Sequence, residues 1–380
     1  MHILHVIQNL APHAGGPAMT CLESAKLMAA RGHRVTIATT NYQHPGAQPG
    51  IAVVEGVEIR THPVQFPAYL RTSWPLKRDL AAILPQVDIC RIHLLWTFVQ
   101  WAAFAECRRA GVPWLVQPHG NFADYHWRWN RARKAVMERL FQDRMLEGAA
   151  GVIYTAEAER MEAGDRARGA PAFVLPHGIH IGRAVAPPAG TLARLWPALA
   201  GRRVVLFMSR LHAKKGLPAL AGAFARLAAT RPDLALLVCG GDYGAEAAFR
   251  RQIAALGIAH RVVIAGHVEG TAKAAAFAES TLFCLPSLAE NFGNAIVEAM
   301  AFGLPVVTTA HVDIAPDIAP AARIGTPDAD SMAALMAGLL DDPAAAAALG
   351  RAGQRLVAER YAWPVIADRM EAIYEATRRR

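Results

Sequence analysis

The chain has 380 residues, of which 53% are apolar and 19% are charged, and its formal net charge is +9. These values exclude an intrinsically disordered chain and predict two globular domains, because one domain usually holds about 100–200 residues. The positive balance favours phosphate-bearing ligands without choosing among nucleic acid, anionic lipid and nucleotide. The five cysteines are widely spaced, which indicates free thiols in a reducing compartment.

The apolar runs predict no membrane-spanning segment. Residues 1–10 lack a basic leader, and their apolar stretch breaks at Gln8 and Asn9. The longest apolar run, at residues 94–105, contains Gln100 and is too short to cross a bilayer. We therefore expect a cytoplasmic protein, and peripheral contact with the cytoplasmic face of the inner membrane stays open.

Apolar runs that alternate with helical stretches predict a first domain over residues 1–183. The first strand is followed by a turn at Gly15 and Gly16 and by a helix that begins at Pro17, since proline suits the first helical position. Later strands are predicted at residues 34–40, 87–93, 114–118, 152–155 and 173–176. Because these runs are almost continuously apolar, they predict a parallel sheet that is covered on both faces.

Pro187, Pro188 and Gly190 interrupt this pattern and predict a linker within residues 184–201. A second alternation predicts a second domain over residues 190–362. Its strands are predicted at residues 204–208, 234–239, 262–265, 282–285 and 306–309, and its helices at residues 217–230, 245–256, 271–279 and 293–302. Residues from 329 onward are predicted to be helical, and the last helix, about 364–380, is expected to return to the first domain. The fold class is therefore α/β with two doubly wound, Rossmann-like domains, which bind ligands at the carboxyl ends of their strands.

The most specific motif lies at residues 286–300 and contains two carboxylates, Glu290 and Glu298. Glu290 follows a predicted strand, and Gly293 and Asn294 begin a helix whose amides can hold a phosphate oxygen. Glu298 lies among apolar neighbours on that helix, where an acid needs a partner such as the hydroxyls of a ribose. A solvated or salt-bridged glutamate is the alternative interpretation, and the attached Asn-Phe-Gly-Asn turn weighs against it.

A basic loop follows the first strand of the second domain and contains Arg210 and Lys215. Arginine offers a planar fork of donors and lysine a point charge, a combination that suits a diphosphate leaving with negative charge. A solvated basic loop explains the same residues equally well.

Together these segments resemble the retaining glycosyltransferases of family four, which have the GT-B architecture of two facing Rossmann-like domains. The family's Gly-Arg-Leu…Lys-Gly loop corresponds to Ser209-Arg210-Leu211 with Lys215-Gly216, where Ser209 replaces the usual glycine. Its Glu-x7-Glu motif corresponds to Glu290 and Glu298. The resemblance covers nearly the whole chain and is most specific over residues 207–305.

The resemblance implies a role for each of these residues. Arg210 and Lys215 would bind the donor diphosphate, Glu298 the ribose hydroxyls, and Glu290 the hydroxyls of the transferred sugar. The segment between the two glutamates is expected to meet the phosphate and the sugar, chiefly through its backbone: Asn291, Phe292, Gly293 and Asn294.

Two segments of the first domain resemble the same family. Ala14-Gly15-Gly16-Pro17 is similar to the Gly-rich loop that approaches the donor phosphate. Gln117-Pro118-His119-Gly120 is similar to the segment that carries an active-site histidine, so His119 is expected to bind a hydroxyl of the transferred sugar. His177 and His180 stand where the family commonly has Asn and Asp, and we expect structural or acceptor-side roles for both.

Residues 125–139 interleave aromatic and basic side chains. This pattern suits a lipid headgroup surface or an acceptor that bears a pyrophosphate, and a solvated helix face with aromatics beneath it is the alternative. The residues concerned are Tyr125, Trp127, Arg128, Trp129, Arg131, Arg133, Lys134 and Arg139.

The resemblance implies that a hexose moves, with retention of configuration, from a nucleotide-diphosphate sugar to a glycan or lipid-linked glycan acceptor. Bacterial exopolysaccharide or lipopolysaccharide synthesis is the expected setting. The departing diphosphate would take the acceptor proton. No Asp-x-Asp metal motif is visible in the sequence, so neither a metal nor another cofactor is expected.

Three other functions are weaker. A non-hydrolysing nucleotide-sugar epimerase shares the architecture, but it needs acid and base carboxylates that the motifs do not single out. A basic nucleic-acid-binding protein would need a recognition signature, and none is visible in the sequence, so nucleic acid is not an expected partner. A dinucleotide oxidoreductase would need Gly-x-Gly-x-x-Gly after the first strand.

Overall fold

A computed structural model describes residues 1–11, 15–44, 46–122 and 131–378. The chain divides into two compact units. The first unit comprises Met1–Gly178 together with Trp363–Arg380, and the second comprises Ile179–Ala362.

The first unit contains an eight-stranded sheet. Its strands are β1 (His2–Val6), β2 (Arg34–Thr40), β3 (Gly50–Val54), β4 (Val57–His62), β5 (Ile89–His93), β6 (Trp114–Gln117), β7 (Gly151–Tyr154) and β8 (Ala172–Val174). Their order is β3-β4-β2-β1-β5-β6-β7-β8, with β3 antiparallel to β4 and the other pairs parallel. Because the chain proceeds from β1 to one side and later returns to its other side at β5, a topological switch point lies between β1 and β5.

Helices cover both faces of this sheet. The helices before β8 are α1 (Gly16–Ala30), α2 (Trp74–Ile83), α3 (Phe98–Ala110), α4 (Arg131–Met137), α5 (Asp143–Glu147) and α6 (Glu157–Ala163). One apolar core contains side chains of α2 and α3. The core on the other face contains side chains of α1 and of the C-terminal helix Trp363–Arg378, which therefore completes the first unit.

The second unit contains a six-stranded parallel sheet. Its strands are β9 (Arg203–Met208), β10 (Leu234–Cys239), β11 (Val262–Gly266), β12 (Leu282–Leu285), β13 (Val306–Thr309) and β14 (Arg323–Gly325), in the order β11-β10-β9-β12-β13-β14. The remaining helices are α7 (Thr191–Leu195), α8 (Leu217–Ala228), α9 (Glu246–Ala255), α10 (Gly270–Ala278), α11 (Asn294–Ala301), α12 (Ala315–Ile318), α13 (Ala329–Asp341), α14 (Pro343–Arg360) and α15 (Trp363–Arg378). The switch point of this sheet lies between β9 and β12, and each unit is Rossmann-like, which confirms the predicted α/β class.

The structure differs from the sequence prediction in two segments. The hairpin β3–β4 was not predicted, because β3 is exposed along its whole length and pairs with β4 alone. Beside the predicted linker of Pro187, Pro188 and Gly190, the helix α7 was not predicted; it forms at Thr191–Leu195 and buries Leu192. Glu279 accepts hydrogen bonds from the amides of Thr191 and Leu192 at 3.0 and 3.3 Å, and a carboxylate stabilises a helix N-terminus in this way.

Among the described residues, no single helix is both long and apolar enough to cross a bilayer. The pair α13 and α14 reaches that length and composition together, but it is bent by 103°.

Candidate functional site

Two loops meet at the switch point of the second sheet, one after β9 and one after β12. Gly216 ends the first loop with φ of +68°, and a Cβ atom there would lie 1.8 Å from the carbonyl oxygen of Pro286. Only glycine therefore lets the two loops approach so closely. The Leu288 amide donates a 2.7 Å hydrogen bond to the Lys214 carbonyl, which ties the loops together.

Lys215 and Glu290 form an ion pair between these two loops, with Lys215 Nζ donating to Glu290 Oε2. Their side chains are only 4% and 16% exposed. Burial, and then the positive charges of Lys214 and Arg210, lower the pKa of Lys215. Two of the predicted site residues are thus in direct contact, and the carboxylate partly balances a concentration of positive charge.

The rest of that positive charge comes from the loop after β9. Arg210 is exposed, and its guanidinium carbon lies 5.2 Å from the centre of the Tyr243 ring. Burial lowers the pKa of Lys214, and the Arg210 charge lowers it further. Burial also lowers the pKa of His212, with further contributions from Lys214, Arg210 and Lys215. A ligand with two negative phosphates would relieve the repulsion among these cations.

The N-terminus of α11 lies beside the ion pair. Gly293 precedes this helix with φ of +76°, and a Cβ atom there would lie 2.8 Å from Ile296 Cδ1 and 3.3 Å from Glu290 Cγ. Glycine at this position therefore keeps the start of the helix close to Glu290. The positive end of the helix dipole adds to the attraction for an anion.

The side chains of Asn291 and Phe292 contact other residues of the second unit. Asn291 Nδ2 donates to Asp313 Oδ2 at 3.0 Å. The buried Phe292 ring packs edge-on against Tyr361, with the ring centres 5.6 Å apart. The Phe292 side chain is therefore a core residue, and only its backbone remains for the predicted ligand contact.

Glu298 on α11 has a partner that the sequence analysis missed. Lys273 Nζ on α10 donates a 2.6 Å hydrogen bond to Glu298 Oε1, and the two side chains are 32% and 26% exposed. The carboxylate thus has a protein donor and remains partly open to solvent. No local motif could have indicated Lys273, because the two residues come from different helices.

The remaining predicted residues belong to the first unit. Gly15 has φ of 80° and ψ of −149°, a conformation that only glycine adopts readily, and it immediately precedes α1 at Gly16. Both therefore lie after β1, beside the switch point of the first sheet. Ala14 of the same predicted loop lies outside the described residues.

His119 follows β6 and is buried, with 8% of the residue exposed. Its Nε2 atom lies 2.9 Å from His93 Nδ1, and its own Nδ1 has no hydrogen-bond partner among the described residues. Burial, followed by the His177 and Arg91 charges, lowers the pKa of His119 well below its ordinary value. Burial therefore favours the neutral imidazole, and among the described residues one buried ring nitrogen of His119 is left for a ligand.

The backbone at His119 is held in a left-handed conformation, with φ of 54°. The next amide, of Gly120, donates a 2.5 Å hydrogen bond to Glu159 Oε1. Glu159 Oε2 also accepts from the Thr155 amide at 2.7 Å. This buried carboxylate therefore ties the turn after β6 to the segment after β7.

The interleaved basic and aromatic segment is only partly described. Tyr125, Trp127, Arg128 and Trp129, and the side chains of Arg131 and Arg133, lie outside the described residues. Lys134 is buried, with Nζ 4.4 Å from the centre of the Trp96 ring, so it does not face a surface ligand. Arg139 is exposed beside two exposed apolar residues, Val136 and Leu140.

The geometry thus brings Arg210, Lys215, Glu290 and Gly293 together at the switch point of the second sheet, and it places Glu298 on the helix that follows. This is where an open α/β sheet binds its ligand. Gly15, Gly16 and His119 occupy the carboxyl ends of β1 and β6 in the first sheet.

Comparison with protein-family models gives one match for each half of the chain. Residues 15–178 match the model described as glycosyl transferase 4-like domain. Residues 196–356 match the model described as glycosyl transferases group 1. The second match contains all of the predicted donor residues from Arg210 to Glu298.

Curated relatives are similar over part of the chain. A phosphatidyl-myo-inositol mannosyltransferase of Mycolicibacterium smegmatis is 35% identical over 179 residues, which is 46% of this chain and 45% of the relative. A GDP-mannose-dependent monoacylated alpha-(1-6)-phosphatidylinositol monomannoside mannosyltransferase of Corynebacterium glutamicum is 30% identical over 183 residues, 46% of this chain and 47% of the relative. The matched segments thus span about half the length of these relatives.

Solved structures agree in fold along nearly the whole chain. HepE of Anabaena, in a complex with UDP and glucose, has a TM-score of 0.78 and 20% sequence identity, and the match covers 99% of this chain and 100% of that one. At that identity the similarity establishes the fold alone.

Proposed function

From its membership of the GT-B glycosyltransferases of family four, we propose that this chain is a retaining hexosyltransferase. It moves a hexose from a nucleotide-diphosphate sugar to a glycan or lipid-linked glycan acceptor, in the synthesis of a bacterial exopolysaccharide or lipopolysaccharide. The observation that carries this proposal is the Lys215–Glu290 ion pair, which lies at the switch point of the second sheet beside the N-terminus of α11.

The donor diphosphate binds at the loop after β9. Arg210 supplies a planar fork, Lys215 a buried point charge and α11 the positive end of a helix dipole, and all three attract phosphate oxygens. Glu298 accepts hydrogen bonds from the ribose hydroxyls, and Lys273 orients its carboxylate. Glu290 accepts from hydroxyls of the transferred sugar while it remains paired with Lys215.

The reaction is a substitution at the anomeric carbon on one face of the sugar. The bond from that carbon to the diphosphate oxygen breaks, and a bond to the acceptor oxygen forms on the same face. The acceptor proton moves to the departing diphosphate. Arg210 and Lys215 stabilise the negative charge that develops on the leaving group. Preorganised cations at such a developing charge lower the activation barrier.

His119 has a different role in this proposal. Its Nδ1, which has no partner in the part of the chain that the structure describes, accepts a hydrogen bond from a hydroxyl of the transferred sugar and fixes the sugar during bond cleavage. His119 is not needed as a base, because the diphosphate takes the proton.

The acceptor is a glycan or a glycan on a lipid carrier. Two observations favour a lipid-linked acceptor: the relatives named above act on phosphatidylinositol compounds, and Val136 and Leu140 are exposed beside Arg139. Exposed apolar and basic side chains on one helical segment suit the surface of an anionic bilayer, and we propose peripheral contact there.

Two assays on purified protein test the donor class. The first measures thermal shifts with GDP-mannose, UDP-glucose and ADP-glucose, since a donor at 100 times its Kd stabilises the fold by about 2.7 kcal/mol. The second measures nucleoside diphosphate release from the best donor. We expect one donor to give both signals, and the Arg210→Ala variant to lose the release. If no nucleotide sugar stabilises the protein or is turned over, the proposed function is wrong.

A further inference from the structure

Three buried histidines form a row at the carboxyl ends of adjacent strands in the first sheet. His5 Nδ1 lies 2.9 Å from His93 Nε2, and His93 Nδ1 lies 2.9 Å from His119 Nε2. The centres of neighbouring rings lie 5.2 Å apart, and their planes are within 19° and 18° of parallel. The row therefore joins β1, β5 and the turn after β6 through two nitrogen-to-nitrogen hydrogen bonds.

Burial favours the neutral form of all three imidazoles. Burial lowers the pKa of His5, His93 and His119 well below the ordinary value, and the buried Arg91 guanidinium lowers each of them further. A neutral imidazole has one N–H and one lone pair, so His93, the middle ring with a neighbour at each nitrogen, must donate on one side and accept on the other. The two hydrogen bonds must consequently point in the same direction along the row.

Cys21 on α1 selects that direction. Its Sγ lies 3.8 Å from His5 Nδ1, the same nitrogen that faces His93. Burial raises the pKa of Cys21 to about 12, so its sulfur keeps a proton and can donate it. When His5 Nδ1 carries the lone pair, it accepts from His93 Nε2–H, and the thiol of Cys21 is a weaker second donor to the same nitrogen. A proton on that nitrogen would leave the thiol beside an N–H, where only its weakly accepting sulfur could interact.

We propose that His5 and His93 are positioning residues, which hold His119 in the tautomer that has a proton on Nε2 and a lone pair on Nδ1. His93 Nε2–H donates to His5 Nδ1, and His119 Nε2–H donates to His93 Nδ1. His119 Nδ1 is then an obligate acceptor. This inference rests on the proposed function, because it assigns His119 Nδ1 to accept a hydrogen bond from a sugar hydroxyl rather than to donate one.

A metal site is the rival explanation for part of this cluster. Ligand atoms of His5, Cys21 and His93 all lie within 4.8 Å of one another. However, zinc with nitrogen ligands at about 2.0–2.1 Å holds them about 3.3 Å apart in a tetrahedral site, and the His5–His93 separation is 2.9 Å. The nearby Arg91 charge also opposes a bound cation, so the hydrogen-bonded arrangement is favoured.

Nuclear magnetic resonance on ligand-free wild-type protein, labelled with ¹⁵N in its histidine rings, tests the proposal directly. We expect scalar couplings across both N–H···N bonds, and a proton on Nε2 of His93 and of His119. A proton on His119 Nδ1, or the absence of both couplings, would overturn the proposal. So would about one zinc ion per chain in elemental analysis of the purified protein, because a metal would replace the His5–His93 hydrogen bond.

Turnover of substituted proteins tests the consequence for the reaction. His93→Phe keeps an aromatic ring but removes both nitrogens, and we expect turnover to fall about tenfold, the effect of roughly one hydrogen bond, with little change in the donor KM. His93→Gln keeps one donor and one acceptor and should recover most of that turnover. In a protein that already carries His119→Ala, the addition of His93→Phe should lower turnover little further, because the effect of His93 on turnover passes through His119.

His2→Phe is the matched control. His2 is a buried histidine on the same strand as His5, but its Nε2 contacts Thr36 Oγ1 at 2.9 Å and it is not part of the row. We expect this variant to change stability and to leave turnover and the ring couplings unaltered. If His93→Phe lowers turnover equally in the presence and absence of His119, the positioning role is wrong.

The magnetic resonance measurement and the turnover assays together distinguish a failure of this proposal from a failure of the proposed function. The magnetic resonance measurement needs no donor, so it can support the row of imidazoles in a protein that transfers no sugar. Conversely, a protein that transfers sugar but has its proton on His119 Nδ1 keeps the proposed function and loses this inference.

Discussion

Lys273 on α10 donates a 2.6 Å hydrogen bond to Glu298 on α11, and both side chains remain partly exposed. The contact supplies the partner that a carboxylate among apolar neighbours requires. It also fixes one carboxylate oxygen, so that the group is oriented before a ligand arrives.

Substitution of Glu298 by alanine should weaken donor binding about tenfold or more while the fold is retained. The reason is the loss of charged hydrogen bonds to the ribose, each worth about 1.5–3 kcal/mol. Lys273→Ala should weaken binding less, because it loosens the carboxylate without removing it. Titration calorimetry with the preferred donor measures both effects.

The matched control is Glu246→Ala, which removes a partly exposed carboxylate that pairs with Arg250 within α9 of the same unit. Its donor affinity should equal that of the wild type. Unchanged affinity in Glu298→Ala would instead make the Lys273–Glu298 pair a surface ion pair without a role in binding.

Arg210→Ala should lower turnover at saturating donor by at least about tenfold, because the departing diphosphate loses a stabilising cation. Arg203→Ala is the control. Arg203 is the first residue of β9, so it lies at the opposite end of that strand from the loop that carries Arg210, and it pairs with Asp233. Steady-state kinetics that gave equal turnover for both variants would make Arg210 an ordinary surface cation.

Lys215→Ala should also lower turnover at least about tenfold, for the same reason. Here a second effect must be separated, because removing a buried cation leaves the Glu290 carboxylate unpaired, which is strongly destabilising. The double variant Lys215→Met with Glu290→Gln removes both charges. The melting temperature of this double variant should be closer to that of the wild type, and its turnover should remain low. Recovery of turnover would instead show that Lys215 acts only on stability.

Much of this fold follows from the sequence because buried parallel strands are continuous apolar runs. Strands β9, β10 and β12 were predicted within one residue at each end, as was α11. The hairpin β3–β4 was missed, although Glu55-Gly56 between two β-branched runs is a turn signal that could have indicated it. Residues 51–54 are all apolar and yet exposed, so the rule that continuous apolar runs are buried strands does not describe β3.

The site was less accessible to sequence reasoning, because its contacts depend on which strands and helices become neighbours. The motif indicated Glu298 but could not indicate Lys273, which reaches it from another helix. His119 was indicated by its place after a strand. Its contact with His93 depends on the adjacency of β5 and β6, which the order of strands along the chain does not specify.

The product should keep the anomeric configuration of the donor, and the reaction should continue in the presence of EDTA. Retention follows from the proposed substitution on one face. Insensitivity to EDTA follows because the proposed charge stabilisation comes from Arg210 and Lys215 rather than from a metal ion. Proton magnetic resonance of the product formed with and without EDTA checks both, and an inverted product would contradict the proposed mechanism.

Stability should fall as the pH decreases from about 6.5 to 5.5, the range in which unfolded histidine, with a pKa of about 6.5, takes up a proton. Because burial lowers the pKa values of His5, His93 and His119 in the folded protein, only the unfolded chain gains these protons there. Each group then contributes up to about 1.4 kcal/mol of lost stability per pH unit. Urea unfolding at several pH values measures the slope.

His93→Gln removes one of these groups and should reduce the slope by up to about 1.4 kcal/mol per pH unit. The slope should flatten above about pH 7.5, one unit above the unfolded pKa, where both states are mostly neutral. A free energy of unfolding that did not change between pH 6.5 and 5.5 would mean that these histidines titrate normally in the folded protein.

His119 is the residue for which a catalytic and a structural role differ most clearly. It holds a left-handed backbone conformation and lies at one end of the row of imidazoles, while its Nδ1 has no partner among the residues that the structure describes. His119→Ala should lower turnover at least about tenfold and change nucleotide affinity little, because the lost hydrogen bond is to the transferred sugar. Alanine also tolerates a positive φ poorly, so some loss of melting temperature is expected in addition.

His119→Asn separates the two effects, since asparagine is enriched in the left-handed region and keeps a polar side chain that is too short to reach the same position. It should melt closer to the wild type than His119→Ala and still show the low turnover. Melting temperature, nucleotide affinity and turnover measured on one preparation of each variant decide between the roles. A large drop in melting temperature together with near-normal turnover would make His119 a structural residue that only closes the end of β6.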